Sequence, residues 1–578
     1  MDIDATRCGW TTRRDPSRHA PVTPKPSADP KRIKLWFISL LLLALAVRLV
    51  DPIGWIGSDD AAYHAAAEHV VHGEPMHRAH HQYARSPIVV AVAVSMMLFG
   101  DTPAALILPT LISSILCIVM VVLIGRLLWG WSVGLLAGTI IAFFPAFQNT
   151  STCLLPGAYT CCFAAAAIFA TVMAIGATQR RAYWFLAVAA GLLAAMATSV
   201  KLFSGAVFVA IFLLSWQLHA APRGRRVVWM AVVLAGAVLF LLLECMFYAW
   251  TADNFWFKFQ ALEGSRGAHT ILPGHKEAYS SLSETLQLIV VRLTMPFRIV
   301  ASGWGTIGYA FWPAIGAAAF LDRRARGLAV WAAVTFLGLA FVPISLANGI
   351  YVFPAVAFDG INLIVLCVPF SLCLAWAVHR LTTTTFASAT IHRCWPVALI
   401  AVAVVSNVDR YRVNGRHMFL QQQIGSAIRQ MVAEIDFGRE LPIFTTPSLY
   451  WRYRVLFPKP LRDRLRVAVQ ADAPDWWRDV SVDIEQRLRP LPHPNQAYLL
   501  ATPEQVQGEQ LSWDYGVGLP KSNLAEWQVE APLAVAVRGR GTITTHTGRE
   551  ATAPGVILCL FGPTPAETKL ASSQEERF

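Results

Sequence analysis

The feature that most constrains this chain is a succession of apolar runs of about 18 residues or more, each long enough to cross a bilayer's hydrocarbon core as a helix. Lipid offers no water to satisfy backbone N–H and C=O groups, so runs of this length and composition fold as helices. Composition agrees. Hydrophobic residues make up 55% and charged residues 15% of the 578 positions, against about 25% charged in an average soluble domain. The mean hydropathy is +0.47. The net charge of +12 raises nucleic acid as a partner, but much of that charge sits in short loops between apolar runs, where it sets membrane topology instead. No nucleic-acid binding is expected. The ten cysteines are scattered, with no CxxC pair and no Cys/His ligand spacing, so neither a zinc site nor a disulfide framework is implied. Cys117, Cys367 and Cys373 fall inside apolar segments. Cys153, Cys161 and Cys162 lie near one membrane face, where pairing competes with the simpler reading of small residues buried in helices.

The loops orient the spans. Residues 1–32 are polar, proline-bearing and basic, and read as a disordered cytoplasmic tail. The run from Ile33 to Val50 is too long for a signal-peptide core and lacks a small-residue cleavage site, so it reads as a retained first span. Alternating from there, the inside loops hold Arg126, Arg180–Arg181, Arg223 with Arg225 and Arg226, Arg323 with Arg324 and Arg326, and His379–Arg380 through Arg393. The outside turns Asn149–Thr152 and Leu346–Val352 hold no Lys or Arg, and the turn Ser199–Leu202 holds only Lys201. This agrees with the positive-inside rule provided that the short run Pro87–Gly100 is a juxtamembrane or re-entrant helix. The reading gives about eleven spans, at residues 33–50, 104–128, 133–149, 157–178, 182–198, 202–220, 227–250, 302–320, 328–346, 358–378 and 394–408. The membrane domain is then 33–412, with outer loops at 51–103 and 251–300. A tail at 413–578 carries strand-like pieces at Leu441–Thr445, Ala497–Ala501 and Gly555–Phe561, suiting an extracytoplasmic α/β domain. The absence of an internal repeat weakens a secondary-transporter reading.

The first outer loop concentrates ionisable groups. Asp59-Asp60-Ala61-Ala62-Tyr63 follows the first span directly. Adjacent acids there serve either as a helix cap and first-turn charge, or as a general base able to take a proton from an acceptor hydroxyl or amine. His64, His69, His72, His77, His80 and His81 follow. Their spacing fits no standard ligand motif, so no metal is predicted there. Arg85 precedes Ser86-Pro87. It is read either as an arginine snorkelling to headgroups or as a planar fork for a bound phosphate. Lys201 is the second cation at this boundary, with the same two readings.

These features, in this order, resemble the GT-C superfamily of membrane glycosyltransferases, specifically the family 39-like branch of protein O-mannosyltransferases and aminoarabinose transferases. The likeness rests on Asp59-Asp60-Ala61-Ala62-Tyr63 with Gly73 beyond it, and on Arg85-Ser86-Pro87 leading to Leu98-Phe99-Gly100-Asp101. Ser199-Val200-Lys201 and Tyr351-Val352-Phe353-Pro354 add to it. The resemblance implies an α-helical, GT-C-like polytopic fold and an inverting transfer from a polyprenyl-phosphate-linked sugar to a protein, lipid or glycan acceptor. It assigns Asp59 as base, with Asp60 second in line, and Arg85 and Lys201 to the donor phosphate. Tyr63, Asp253 and Tyr351 become substrate-binding candidates. It also implies a multi-pass protein of the bacterial inner membrane, with its N-terminus in the cytoplasm and membrane lipids around it. No cofactor is firmly implied; a divalent metal is compatible with the resemblance but is not predicted. One departure stands out: where the branch often carries an acid after a proline, this chain reads Leu154-Leu155-Pro156-Gly157-Ala158. The competing classes are a transporter or flippase for a lipid-linked substrate and a non-catalytic family member. The first would require charges midway through spans, where the sequence offers chiefly Glu244 and Asp359, both near span ends.

Overall fold

The computed structural model describes residues 30–50, 52–56, 59–76, 82–218, 222–261, 290, 304, 306–341, 345–347, 350–352, 362–385 and 405. In the tail it describes 443–445, 454–457, 462, 465–467, 497–501, 529–534, 542–544, 550–552 and 557–561. His77, His80, His81, most of the loop 251–300, Asp359 and nearly all of the segment 394–408 lie outside the described residues. The chain divides into two compact units. The larger holds Met1–Pro52, Ala62–Gly100 and Ala105–Asn414, and the smaller Ile53–Ala61, Asp101–Ala104 and Gly415–Phe578.

The helices described are α1 (Pro30–Val50), α2 (Asp59–His72), α3 (Ser86–Phe99), α4 (Pro103–Trp129), α5 (Trp131–Ala142), α6 (Pro145–Ser151) and α7 (Pro156–Gly176). They continue with α8 (Arg180–Val200), α9 (Val207–Leu218), α10 (Arg223–Thr251), α11 (Phe311–Leu321), α12 (Arg323–Phe341) and α13 (Cys367–Thr385). Among the described residues, six helices are long and apolar enough to span: α1, α4, α7, α8, α10 and the stretch Leu363–Thr382 that contains most of α13. The expected span 133–149 is broken. α5 and α6 meet at a 66° bend, because Pro145 opens α6 and has no N–H with which to continue the ladder from α5. α3 has 14 residues, about 21 Å of helix, too short to cross. Pro87 opens it, and Gly100, at φ +78°, closes it. Leu40 and Ala44 of α1 pack into the core while Leu42, Leu43 and Leu49 lie open. On α10, Val238, Leu242 and Met246 are open, giving both helices a broad apolar outer face suited to lipid.

The basic helix ends gather on one face. Arg324, at the start of α12, donates to the Leu128 carbonyl at the end of α4 at 2.7 Å, and Trp129 Nε1 donates to Asp322 at 2.7 Å. Arg226 of α10 donates to the Trp216 carbonyl of α9 at 2.8 Å. Arg126 stacks on Trp131, 4.3 Å from its ring centre.

α8 and α10 run parallel, and their sequences set the register. Ala187, Ala190, Gly191, Ala194 and Ala197 make one face of α8 small. A Cβ at Gly191 would meet the Val233 carbonyl at 1.8 Å, and one at Gly236 would meet the Val188 carbonyl at 2.4 Å. Two backbones can approach so closely only where side chains are absent. Toward the basic end Tyr183 faces Trp229, with ring centres 6.5 Å apart. Two turns beyond the glycines, at the opposite end, Ser199 meets Glu244.

The described strands of the larger unit are β1 (Ser345–Ala347) and β2 (Ile350–Val352), a hairpin. In the smaller unit β7 (Thr542–Thr544) and β8 (Glu550–Thr552) form another, while β3 (Ile443–Thr445), β4 (Leu465–Val467), β5 (Ala497–Ala501), β6 (Val529–Ala534) and β9 (Ile557–Phe561) form one sheet, in the order β4-β3-β5-β9-β6. β3 pairs in parallel with β4 and β5, and β9 runs antiparallel to β5 and β6. Parallel neighbours need crossover connections, as in α/β domains; most residues of those crossovers lie outside the described residues. Asp101, the acid of the Phe-Gly-Asp turn, forms an ion pair with Arg462, which also donates to the Phe457 carbonyl at 3.3 Å.

Candidate active site

On the face of the larger unit opposite the basic helix ends, four segments converge on one buried carboxylate. Glu244, in α10 about two turns from its end, is 2% exposed. Its Oε1 accepts from Ser86 Oγ, the first residue of α3, at 2.6 Å. The same oxygen accepts from Ser199, near the end of α8, and Oε2 accepts from Lys258 Nζ. Lys258 Nζ also donates to Ser199 Oγ at 2.7 Å. The positive φ of Asp253, +49°, turns the chain after α10, and among residues other than glycine a short polar one tolerates that conformation best. Asn254 Oδ1 then accepts the Trp256 N–H at 2.9 Å. Phe257 stacks on Tyr248 at 5.1 Å between centres, which returns Lys258 to Glu244. Tyr248 donates to the Tyr83 carbonyl at 3.1 Å, and Met76 N–H donates to the Thr251 carbonyl at 2.7 Å, fastening the first outer loop to the end of α10.

Arg85 stands one residue before Ser86, at the positive end of α3. It donates to the Tyr63 hydroxyl, and its guanidinium lies 5.7 Å from the Tyr63 ring centre. Arg85 and Lys258 are close enough for their charges to act on each other. Burial pulls the Lys258 ammonium below the ordinary lysine value of 10.5, with the Arg85 charge adding to that pull, while Glu244 opposes it by charge and hydrogen bond.

The sequence candidates fall into place unevenly. Asp60 is fully buried, and its carboxylate accepts the Ile56 N–H at 2.7 Å and the Ala61 N–H at 3.1 Å, so it holds the backbone where the chain enters α2. Asp59, first residue of α2, is only partly buried. Tyr63 is fully buried, with Arg85 as a partner. Lys201 ends α8, partly buried, within electrostatic reach of Cys161 and Cys367. Asp253 is exposed on its turn, and Tyr351 pairs across a short hairpin with Leu346. Gly157 is packed by a neighbour: a Cβ there would lie 2.9 Å from Thr150 Oγ1 of α6, so the acid found elsewhere in the branch has no room. Of the nearby cysteines, Cys153, Cys161 and Cys162 are buried thiols not joined to one another by disulfides; Cys153 Sγ donates to the Asn149 carbonyl at 3.1 Å.

Sequence reasoning missed the joint role of Ser86, Ser199, Glu244 and Lys258. In the sequence, Glu244 stands out only as a charge near a span end. Lys258 sits in the aromatic run Phe255-Trp256-Phe257-Lys258-Phe259, and that run was the available signal: a lysine among aromatics beside a membrane calls for a buried anion.

Residues 86–250 match the protein family described as dolichyl-phosphate-mannose-protein mannosyltransferase. That stretch runs from the start of α3 almost to the end of α10. It contains Ser86, Ser199, Lys201 and Glu244 but neither Asp59 nor Lys258. No curated protein sequence matches the chain. Among solved structures, ArnT from Cupriavidus metallidurans bound to undecaprenyl phosphate superposes with a TM-score of 0.50 at 15% identity, covering 92% of this chain and 98% of that one. The chain has a GT-C fold. The same ArnT in its apo state gives 0.49 at 15% identity over 91% and 98% of the two chains. The Archaeoglobus fulgidus oligosaccharyltransferase with zinc and sulfate gives 0.48 at 12% over 90% and 73%. With the GT-C fold, the protein is a multi-pass integral membrane protein, and its cation-bearing site lies at the helix ends away from the arginine-rich face.

Proposed function

We propose that this protein is an inverting glycosyltransferase that moves a sugar from a polyprenyl-phosphate-linked donor to an acceptor on the extracytoplasmic side of the membrane. The observation that carries the reading is Arg85, held over Tyr63 at the positive end of a short helix, on the face opposite the basic loops. A positively charged fork at the water–lipid boundary suits a lipid-linked phosphate. The ArnT structure of the same fold holds undecaprenyl phosphate.

In this reading Arg85 and Lys201 bind the donor phosphate and stabilise the charge that grows on it as its bond to the anomeric carbon breaks. Asp59 takes the proton from the acceptor hydroxyl or amine, which attacks the anomeric carbon from the opposite side and inverts it. Asp60 keeps Asp59 in place by fixing the entry to α2. Asp253 and Tyr351 lie on outer segments and contact the acceptor or the sugar. The positive-inside rule sets the basic face in the cytoplasm, which puts the site and the tail outside, as in a bacterial inner membrane. The acceptor is a protein, lipid or glycan.

The test is transfer by the purified protein in liposomes from a labelled polyprenyl-phosphate sugar pool, with nucleotide sugars as the comparison donors. Transfer is expected from the lipid-linked pool alone, falling by about 100-fold or more in Asp59→Asn, the scale of a lost general base. Equal transfer by wild type and Asp59→Asn removes Asp59 as the base, and transfer from nucleotide sugars refutes the donor class.

A further inference from the structure

The described side chains of this site contain a buried ion pair that the reaction above does not use. Lys258 and Glu244 lie near the end of α10 away from its basic start, with side-chain exposures of 12% and 0%. Removing two charges from water is costly unless hydrogen bonds offset it, and here the carboxylate accepts from two serines as well as from the ammonium. Those serines are not randomly placed. Ser86 adjoins Arg85, and Ser199 is two residues before Lys201, so one carboxylate fixes both segments that carry the phosphate-binding cations. Meanwhile Lys258 is held within electrostatic reach of Arg85. Two like charges gathered in a poorly solvated place repel each other, and an anion between them relieves that repulsion.

We infer that Lys258 is a further ligand of the donor's phosphate and that Glu244 is its positioning residue, holding Lys258 beside Arg85 while fixing the segments that bear Arg85 and Lys201. An ammonium has three N–H donors, and two are engaged, by Glu244 and by Ser199. The third is open to a phosphate oxygen. With Lys201, the charges of Arg85, Lys258 and Glu244 sum to two positive charges, which attract the negative charge of a sugar phosphodiester. No bond is made or broken by either residue.

This inference rests on the polyprenyl-phosphate reading above, so its test separates the two. The probe is undecaprenyl phosphate itself, titrated into the detergent-solubilised full chain across a range of pH, with Gly316→Ala, where an added methyl meets nothing within 4 Å, as the control for intact binding. Wild type and Gly316→Ala are expected to bind alike, and Lys258→Gln to bind at least about tenfold more weakly, a loss of about 1.4 kcal/mol. The pH dependence excludes a purely structural role. The groups facing Lys258 are Glu244, Cys245 and Arg85, with Tyr248 beside Glu244. Binding by wild type should fade as pH rises through the depressed lysine pKa. Glu244→Gln keeps the shape but not the charge that props that pKa up, so the fade moves to lower pH. Lys258→Arg stays charged, so it binds and loses that fade. Wild-type affinity with the same alkaline fade in Lys258→Gln or Lys258→Arg overturns the inference and leaves the donor class standing. Failure of wild type to bind undecaprenyl phosphate overturns both.

Discussion

At the scale of single residues, two adjacent aspartates that look equivalent in the sequence do different work. Asp60 spends both carboxylate oxygens on backbone N–H groups and is sealed from solvent, while Asp59 keeps partial exposure at the start of α2. Alternation along the chain could not show this, because which of two neighbours turns inward depends on where the loop before α2 passes. Gly157 teaches the converse. The sequence shows an absent acid, and the structure shows why: Thr150 of α6 occupies the space. Gly157→Asp should therefore destabilise the protein by about 3 kcal/mol, from overpacking and a buried charge, without raising turnover. Thermal unfolding in detergent checks the first part and the transfer assay the second. Pairing the change with Thr150→Ala should recover part of the lost stability. A stable Gly157→Asp protein with faster transfer would show that the site had merely lost a catalytic acid.

At the scale of elements, the α8–α10 pair acts as a ruler for the site. The contacts at Tyr183 and Trp229, at Gly191 and Gly236, and at Ser199 and Glu244 follow one another along two parallel helices. Holding the middle contact closed therefore holds the outer one in register. Gly191→Ala places a methyl group against the Val233 carbonyl and should cost about 2 kcal/mol despite alanine's better helix propensity. Gly316→Ala, in α11 with nothing within 4 Å, should be neutral or stabilise by up to about 1 kcal/mol. Melting temperatures of the two variants decide it; equal values would mean that the close approach is not needed. Arg48 plays a similar part elsewhere. Buried in α1, it donates to the carbonyls of Ala44 at 2.9 Å and Ala142 at 3.2 Å, and so supports the C-terminal end of α5 at its break from α6.

At the scale of the whole molecule, the sequence was most legible where physics is least forgiving. Apolar length located the helices, and the arginines marked one face, because a charged loop and a lipid-facing backbone each have few alternatives. The re-entrant reading of Pro87–Gly100 corresponds to a helix too short to cross, with proline and glycine at its two ends. The strand-like pieces of the tail appear as β3, β5 and β9. What stayed hidden were long-range pairings between residues whose sequence context says little. Ser86, Ser199, Glu244 and Lys258 meet from four separate segments, and Asp101 meets Arg462 from the far end of the chain. Nothing in local periodicity encodes such meetings. They follow from helix packing, which a single sequence does not display.

The central claim is that a lipid-linked sugar, bound by its phosphate beside Arg85, is displaced directly by an acceptor activated by Asp59. The most direct measurement is the anomeric configuration of the product formed from a polyprenyl-phosphate sugar of known configuration. The account predicts transfer with the opposite configuration at that carbon, abolished in Asp59→Asn. Product that keeps the donor's configuration, or full transfer by Asp59→Asn, would contradict it.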